Sequence, residues 1–447
     1  MSKALLVTLL VPCATLLSSA EDYVLHTFKR IQITDKFWSE GAYFGDFNKD
    51  GHMDVVSGPF WYEGPDFKTS HEYYPATDSF KRKASGGKEE VVPGFEGALG
   101  SQNAYSNDFL TYAHDFNGDG WTDILIIGFP GAETFWYENP KGSGSGHWAR
   151  HVALDVTDNE SPTLTDITGD GKPELVCNSK GYFGYAEPDG KEPTKPWRFH
   201  PISPNNNYHK YTHGLGVGDV NGDGRMDLLE KDGWWEQPGS LAGDPVWKQH
   251  RFPFAPGTGS SQMFAYDVNG DGRNDVITSL NPHGYGFAWY EQLKGDGEPQ
   301  FKKHLILNEP TEKDKRPEPN SYGVIFSQHH SVDFIDMDGD GLKDIVTGKR
   351  FWAHGPSGDV EPNAPAVLYW FKLVRHPEHQ ADFVPYLIDD NSGVGTQVAA
   401  ASLKPGTLPS VVVGNKRGTF VFVHEVKKVS KQEWEKAQPK GLASLAK

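Results

Sequence analysis

A nine-residue pattern recurs six times in this chain, and it constrains the fold more than any other feature. The fullest copy is Asp336-Met-Asp338-Gly-Asp340-Gly341-Leu-Lys-Asp344, which runs directly into the apolar Ile345-Val346. Oxygens at positions one, three, five and nine can wrap a hard cation, and the glycine at position six permits the turn that gathers them. The other copies present Asp46, Asn48, Asp50 and Asp54; Asp115, Asn117, Asp119 and Asp123; Asp166, Thr168, Asp170 and Glu174; Asp219, Asn221, Asp223 and Asp227; and Asp267, Asn269, Asp271 and Asp275. These residues are expected to hold structural Ca2+ at up to six sites. The pattern is shorter than an EF-hand loop and enters a β-like run instead of a helix. A seventh register at Ala401, Leu403, Pro405 and Gly406 keeps the turn without a side-chain ligand, so it reads as a metal-free copy.

The copies are spaced by 48 to 69 residues, which argues for one repeat architecture over most of the 447 residues. Each loop leads into a β-rich run such as Asp123-Ile-Leu-Ile-Ile. An aromatic strand follows, as in Phe135-Trp-Tyr-Glu138 or Ala288-Trp-Tyr-Glu291. A last strand ends in histidine: His151, His200, His250 and His304. Four strands per repeat and seven registers predict an all-β, seven-bladed β-propeller with four-stranded blades. The last repeat lacks a fourth strand, and Tyr23-Val-Leu-His26 matches the missing one. The N-terminal strand is therefore expected to close the ring, removing an open edge.

Met1–Ala20 reads as a signal peptide with a charged start at Lys3, an apolar stretch and small residues before Glu21. The expectation is a secreted or periplasmic protein, with the propeller over 21–426 and a Lys-rich tail over 427–447. The apolar stretch is too short for a membrane span. Removing it leaves Cys177 alone, so no intramolecular disulfide is expected and bound calcium is the natural staple. The formal charge of −17 is mostly a metal requirement, because the six loops hold 19 carboxylates. Six bound Ca2+ would bring the mature chain to about −6 by formal-charge counting with the ions included. There is no basic stripe, which argues against a nucleic-acid partner. The sequence leaves the oligomeric state open.

These loops and strands resemble the FG-GAP/VCBS family of calcium-binding propellers over essentially all of residues 22–426. A narrower resemblance covers His213-Gly-Leu-Gly-Val-Gly-Asp219 with Trp234-Trp235-Glu236, and Gln328-His-His-Ser331 with Thr347-Gly-Lys-Arg350-Phe-Trp-Ala-His354. These stretches are similar to exported bacterial propellers of the same group and, more distantly, to the propeller domain of fungal aldos-2-ulose dehydratase. That enzyme also carries cupin domains, which this chain lacks. The repeat motif is specific for fold and uninformative about function.

The repeats supply their own control for separating scaffold from site. The register histidines His26, His151, His200, His250 and His304 are expected to be structural. Six residues before each loop start lie Glu40, Phe109, Glu160, His213, Ser261, His330 and Gly395. Between the second and third strands lie Lys180, Lys231, His283, Lys349, Arg350, Lys416 and Arg417. Propeller topology would bring both groups to one channel mouth, opposite the Asp loops.

That mouth is read as a polar carbohydrate pocket. His213 or His330 is the expected base, Lys349 or Arg350 the clamp on an enolate-like oxygen, and His283 or Tyr285 the acid. Glu160, Lys180, Lys231, Trp234, Trp235, His329 and His354 are the expected substrate contacts. His329 and His330 with His213 are an alternative metal set. The chemistry this suits is elimination from a keto-sugar or uronic acid by a lyase or dehydratase. The competing reading is a non-catalytic glycan- or protein-binding module. No G-x-S-x-G elbow, Walker loop or dinucleotide fingerprint is present, and no organic cofactor is expected.

Overall fold

The structure is a computed structural model that describes residues 23–76, 79–83, 86–93, 105–142, 146–295, 297–312 and 315–441. The expected signal segment 1–20 and the last six residues lie outside them. Among the described residues the regular elements are β-strands apart from one short helix. No described helix is long and apolar enough to cross a membrane.

Among the described residues the strands form seven antiparallel sets of four and one separate hairpin, Ser79–Lys83 with Glu89–Pro93. The first holds Tyr43–Gly45, Asp54–Ser57, Phe60–Tyr62 and Ser70–Glu72. The second holds Leu110–His114, Asp123–Ile127, Ala132–Glu138 and the first half of Ala149–Thr165. That long strand breaks register between Asp158 and Thr163, and its second half opens the third set with Glu174–Ser179, Tyr182–Glu187 and Arg198–Pro201. The fourth set starts at Leu215–Gly218, the fifth at Gln262–Tyr266 and the sixth at Val332–Ile335. The seventh holds Val398–Ser402, Pro409–Asn415 and Gly418–Lys428, and its fourth strand is Val24–Thr34 from the other end of the chain. The expected pairing of the N-terminal strand with the last set is therefore present.

The second strand of each set is the most completely buried, and this follows from its position. Asp123–Ile127, Asp275–Ser279, Asp344–Gly348 and Pro409–Asn415 are buried along their whole length. A strand covered on both faces reads as a continuous apolar run instead of an alternating one. First strands from all seven sets line one cavity of about 310 Å3, among them Tyr43, Tyr112, Leu164, Val217, Phe264 and Val398. Adjacent first strands are tied together. Leu215–Gly218 pairs in parallel with Gln262–Tyr266. Gln397 accepts from the Thr111 N–H at 3.0 Å and donates to its carbonyl at 2.7 Å, passing over Gly41.

The register histidines are scaffold. On the outer strands His71, His151, His200, His250 and His304 contact Glu63, Glu138, Glu187, Glu236 and Glu291 at 2.7, 3.0, 3.1, 2.7 and 2.7 Å. Each imidazole also lies against an aromatic ring of the third strand, as His250 on Trp234 with centroids 4.0 Å apart. His26 differs, meeting His424 at 2.9 Å instead of a glutamate. The tail forms a short helix, Lys431–Ala437, opened by a capping box between Ser430 and Glu433. Its Trp434 lies 5.5 Å from Tyr23.

Candidate functional site

The residues six positions before the loops sit where the chain enters each first strand. Six residues of extended chain span about 20 Å, so these entries and the Asp loops lie at opposite ends of the first strands. Short backbone bonds between neighbouring sets fix the entries. Glu40 donates its N–H to Asp108, and Glu160 to Thr212, each at 2.9 Å.

Four side chains from four consecutive sets converge here. Glu160, His213, His283 and His330 bring one ligand atom each to within 4.8 Å of all the others. Glu160 Oε2 lies 3.1 Å from His330 Nε2 and 3.3 Å from His213 Nε2. His283 Nε2 lies 3.1 Å from His213 Nε2. His330 is fully buried, and the other three are largely so. Burial pushes Glu160 upward, but its hydrogen bonds with His213 and His330 outweigh that and hold it well below the usual carboxylate range. Burial, reinforced by Arg350, keeps His330 well below the usual imidazole value, and burial also lowers His283. An ionised carboxylate and neutral imidazoles are the states that bind a transition metal.

A second layer of charge surrounds this cluster. Arg350 is buried and reaches Glu40 at 3.2 Å and Glu160 at 3.8 Å. Lys416, also buried, sits 3.8 Å from Glu40 and donates to the Trp352 carbonyl at 2.8 Å. Asp359 faces two imidazoles. It binds His354 Nδ1 at 2.8 Å and lies 3.5 Å from His283 Nδ1, which has no closer acceptor. Burial raises Asp359, yet these two histidines outweigh it and hold the carboxyl far below its ordinary value. His354 is 44% exposed and opens the group to solvent. Trp352, Asp359 and Glu361, on the same connection, have φ of +52°, +54° and +49°. Left-handed backbone at a bulky non-glycine residue is costly and gathers at functional sites.

Several sequence expectations need correction on position. Trp234 and Trp235 are 1% and 3% exposed and point into two different cores, so neither face is open to a sugar. His329 is fully buried against Phe326 and Phe287, on the opposite side of the chain from His330, and burial pushes it down to about 3. Lys180 turns outward to Asp155, and Lys231 pairs with its neighbour Asp232. Lys349 is buried and donates to Ser327 Oγ at 2.8 Å, and burial lowers it to about 8. Tyr285 lines a separate cavity of about 540 Å3 with Asn281, Arg316, Val360 and Glu361. The sequence reading placed Glu40 at this mouth without giving it a role, and it missed Asp359. Glu40 stands on the same register that located Glu160, whereas Asp359 belongs to no register.

The Asp loops share one internal wiring. The first residue accepts N–H groups from later in the loop, as Asp46 does from Asp50 and Gly51. The ninth carboxylate is buried and tied to backbone on two sides. Asp275 accepts from Val268 and Gln292 at 3.0 and 2.8 Å, and Asp54, Asp123, Asp227 and Asp344 repeat this. Glu174 is the exception, because the matching third-strand position is Pro188, which has no N–H. The longer Glu174 side chain turns back to the N–H groups of Ile167 and Thr168. The donor sets are all oxygen and suit calcium. Asp166, Asp170 and Glu174, and likewise Asp336, Asp338 and Asp344, gather three carboxylates within 4.8 Å.

Residues 115–177, which carry the second and third Asp loops, match the FG-GAP-like repeat family. No curated protein matches the chain. Among solved structures, it is similar to an Agrocybe aegerita lectin described as recognising non-reducing terminal N-acetylglucosamine. The two share 15% identity over 83% of this chain and 82% of the lectin, with a TM-score of 0.40. It is also similar to the rhamnogalacturonan lyase YesW, at 10% identity over 90% of this chain and 72% of the lyase, with a TM-score of 0.37. At these scores neither likeness transfers a ligand or a reaction.

Proposed function

We propose that the seven strand sets are the blades of one propeller, closed by the N-terminal strand and stapled by calcium, and that its opposite end carries a divalent-metal centre. The observation that carries the functional reading is the convergence of Glu160, His213, His283 and His330 on one point. Three imidazoles and a carboxylate are a donor set for zinc, manganese or iron. An ion held there would polarise a carbonyl oxygen.

The surrounding residues suit elimination from an oxidised sugar, by a lyase or dehydratase exported from the cell. Glu40, Glu160 and Asp359 are offset by Arg350 and Lys416, so a divalent ion would leave the group positive and favourable to an enolate-like oxygen. His354, fixed by Asp359 and open to solvent, is placed to take the proton from the carbon next to the carbonyl. The electron pair of that C–H bond becomes the new C=C bond as the β C–O bond breaks, and the proton taken by His354 passes to the departing oxygen, which leaves as water or an alcohol. In this reading His213 and His330 hold the centre instead of acting as bases.

The test is direct. The purified protein is loaded with zinc or manganese, its metal content is measured, and it is incubated with 3-keto-glucosides, 1,5-anhydrofructose and uronic-acid oligosaccharides. A new enone absorbance that depends on the metal supports the proposal. No absorbance from any of them, together with tight binding on a glycan array, replaces it with a glycan-binding module.

A further inference from the structure

The six Asp loops are not equivalent, and the sixth departs from the pattern at two positions that face each other. In the first five sets the residue two places after the third-strand ring that meets the outer histidine (Trp61, Trp136, Tyr185, Trp234 or Trp289) is a glutamate: Glu63, Glu138, Glu187, Glu236 or Glu291. Each is bound to its outer-strand histidine. In the sixth set that residue is Lys372. The register is fixed by the next residue, because the Leu373 N–H binds Asp344 as the Gln292 N–H binds Asp275. The outer histidine is missing too, and Tyr386 stacks on Trp370 in its place at 4.8 Å.

The second departure is in the loop. In three of the four loops with asparagine at the third position, its amide reaches across to the fifth carboxylate: Asn48 to Asp50 at 3.3 Å, Asn221 to Asp223 at 3.1 Å and Asn269 to Asp271 at 3.4 Å. In the fourth, Asn117 turns to Glu138 at 3.3 Å and Lys141 stands 3.3 Å from Asp119. The sixth loop has Asp338 instead, which has no hydrogen to give. Two carboxylates would then face each other. Lys372 supplies what is missing. Its ammonium contacts Asp338 Oδ2 and lies 2.9 Å from Asp340 Oδ2.

Five loops present three carboxylates each and the sixth presents four. In three of the others a single cation pairs with the fifth carboxylate alone: Lys141 with Asp119, Arg225 with Asp223 and Arg273 with Asp271. Lys372 differs in bridging the third and fifth positions, where the extra carboxylate stands.

We infer that the Asp336 loop is closed by the ammonium of Lys372 and takes no calcium ion, unlike the loops that keep asparagine or threonine at the third position. The ammonium lies on the third- and fifth-position oxygens that an ion would need. The loop with the most carboxylates would then be the one least dependent on calcium. Asp338 Oδ1 remains buried without a hydrogen bond. The test must therefore count ions directly.

Native mass spectrometry in calcium chloride gives that count on the full chain. Asp336→Ala in the wild-type background is expected to leave the number of bound ions unchanged. The double variant Asp338→Asn with Lys372→Glu, which restores the pattern of the other sets, is expected to bind one ion more than wild type. Loss of one ion from Asp336→Ala, or no gain in the double variant, would overturn the inference. A stability cycle in chelator gives an independent reading. Each single change is expected to lower the melting temperature by about 3 °C or more, and the double variant to fall by less than the sum. Strict additivity would show that the two residues are not a pair. None of these measurements depends on the proposed reaction.

Discussion

The Nε2 atoms of His213 and His283 face each other 3.1 Å apart. In the neutral pair at most one can carry the hydrogen between them, and His213 Nε2 is also 3.3 Å from Glu160. A divalent ion at the centre of the group accepts all the lone pairs at once. Removing one ligand should therefore cost metal affinity out of proportion to stability. His213→Ala is expected to weaken zinc binding by about 100-fold or more, above the range for residues that only orient a ligand. Its melting temperature should stay within about 4 °C of wild type. Competition with a chromogenic chelator measures the affinity, and an unchanged constant would remove His213 from the centre.

Asp359 acts on the same group from behind. His283 directs Nε2 at the cluster, while its Nδ1 faces Asp359 at 3.5 Å. A carboxylate in that place fixes the tautomer and the ring plane of a metal-binding imidazole. Asp359→Asn should weaken zinc binding by roughly 10- to 100-fold while His354→Gln, which leaves that contact intact, changes it by less than about threefold. Nitrogen-15 spectra of labelled histidine provide a readout without metal: the Asn variant should lose the Nδ1–H preference of His283. Equal affinities in the two variants would show that Asp359 serves the loop fold alone.

The contrast between these residues explains what the sequence could convey. Glu160, His213 and His330 were found by counting back from an Asp loop, and Glu40 stands on the same register. A repeat fixes where each first strand begins, so the count carries real geometry. Asp359 lies in the irregular connection between the second and third strands of the sixth set, where no register applies. Trp234 and Trp235 were misread for the opposite reason. Adjacent residues on an isolated sheet face opposite sides, and one would be open. Here each set is covered by a neighbour on both sides, so both rings are core. Lys180 and Lys231 sit at suitable positions in the chain, but Asp155 and Asp232 draw their ammonium groups away.

Gly41 tests how tightly the first strands are held. A Cβ there would lie 2.6 Å from Gln397 Oε1. That oxygen is already bound to Thr111, so it cannot withdraw without breaking the bridge. Gly41→Ala is expected to cost about 1–3 kcal/mol, the penalty for stranding buried polar groups. Adding Gln397→Ala should recover part of the loss, because the clash goes with the side chain. Urea unfolding measures both. A double variant as unstable as the two single effects added together would mean the crowding lies elsewhere.

The seam between the chain ends should be sensitive to acid. His424 sits on the last strand with Nε2 2.9 Å from His26 Nδ1, and its own Nδ1 donates to the Pro409 carbonyl at 3.0 Å. Burial, with His26 adding to it, pushes His424 down to about 4. Burial also lowers His26, which feels Asp338 and Lys372 in opposite directions. An unfolded histidine titrates near 6.5, so the unfolded chain takes up a proton before the folded one does. The contribution is fully present above about pH 6.5 and is lost progressively as the pH falls towards 4. The full shift corresponds to about 3 kcal/mol, and screening at this half-buried site reduces it to nearer 1. Carboxylates titrate over part of this range, so the informative quantity is the difference between wild type and His424→Gln. Their urea midpoints should converge as the pH is lowered from 7 to 4. Parallel curves would show that the seam does not titrate.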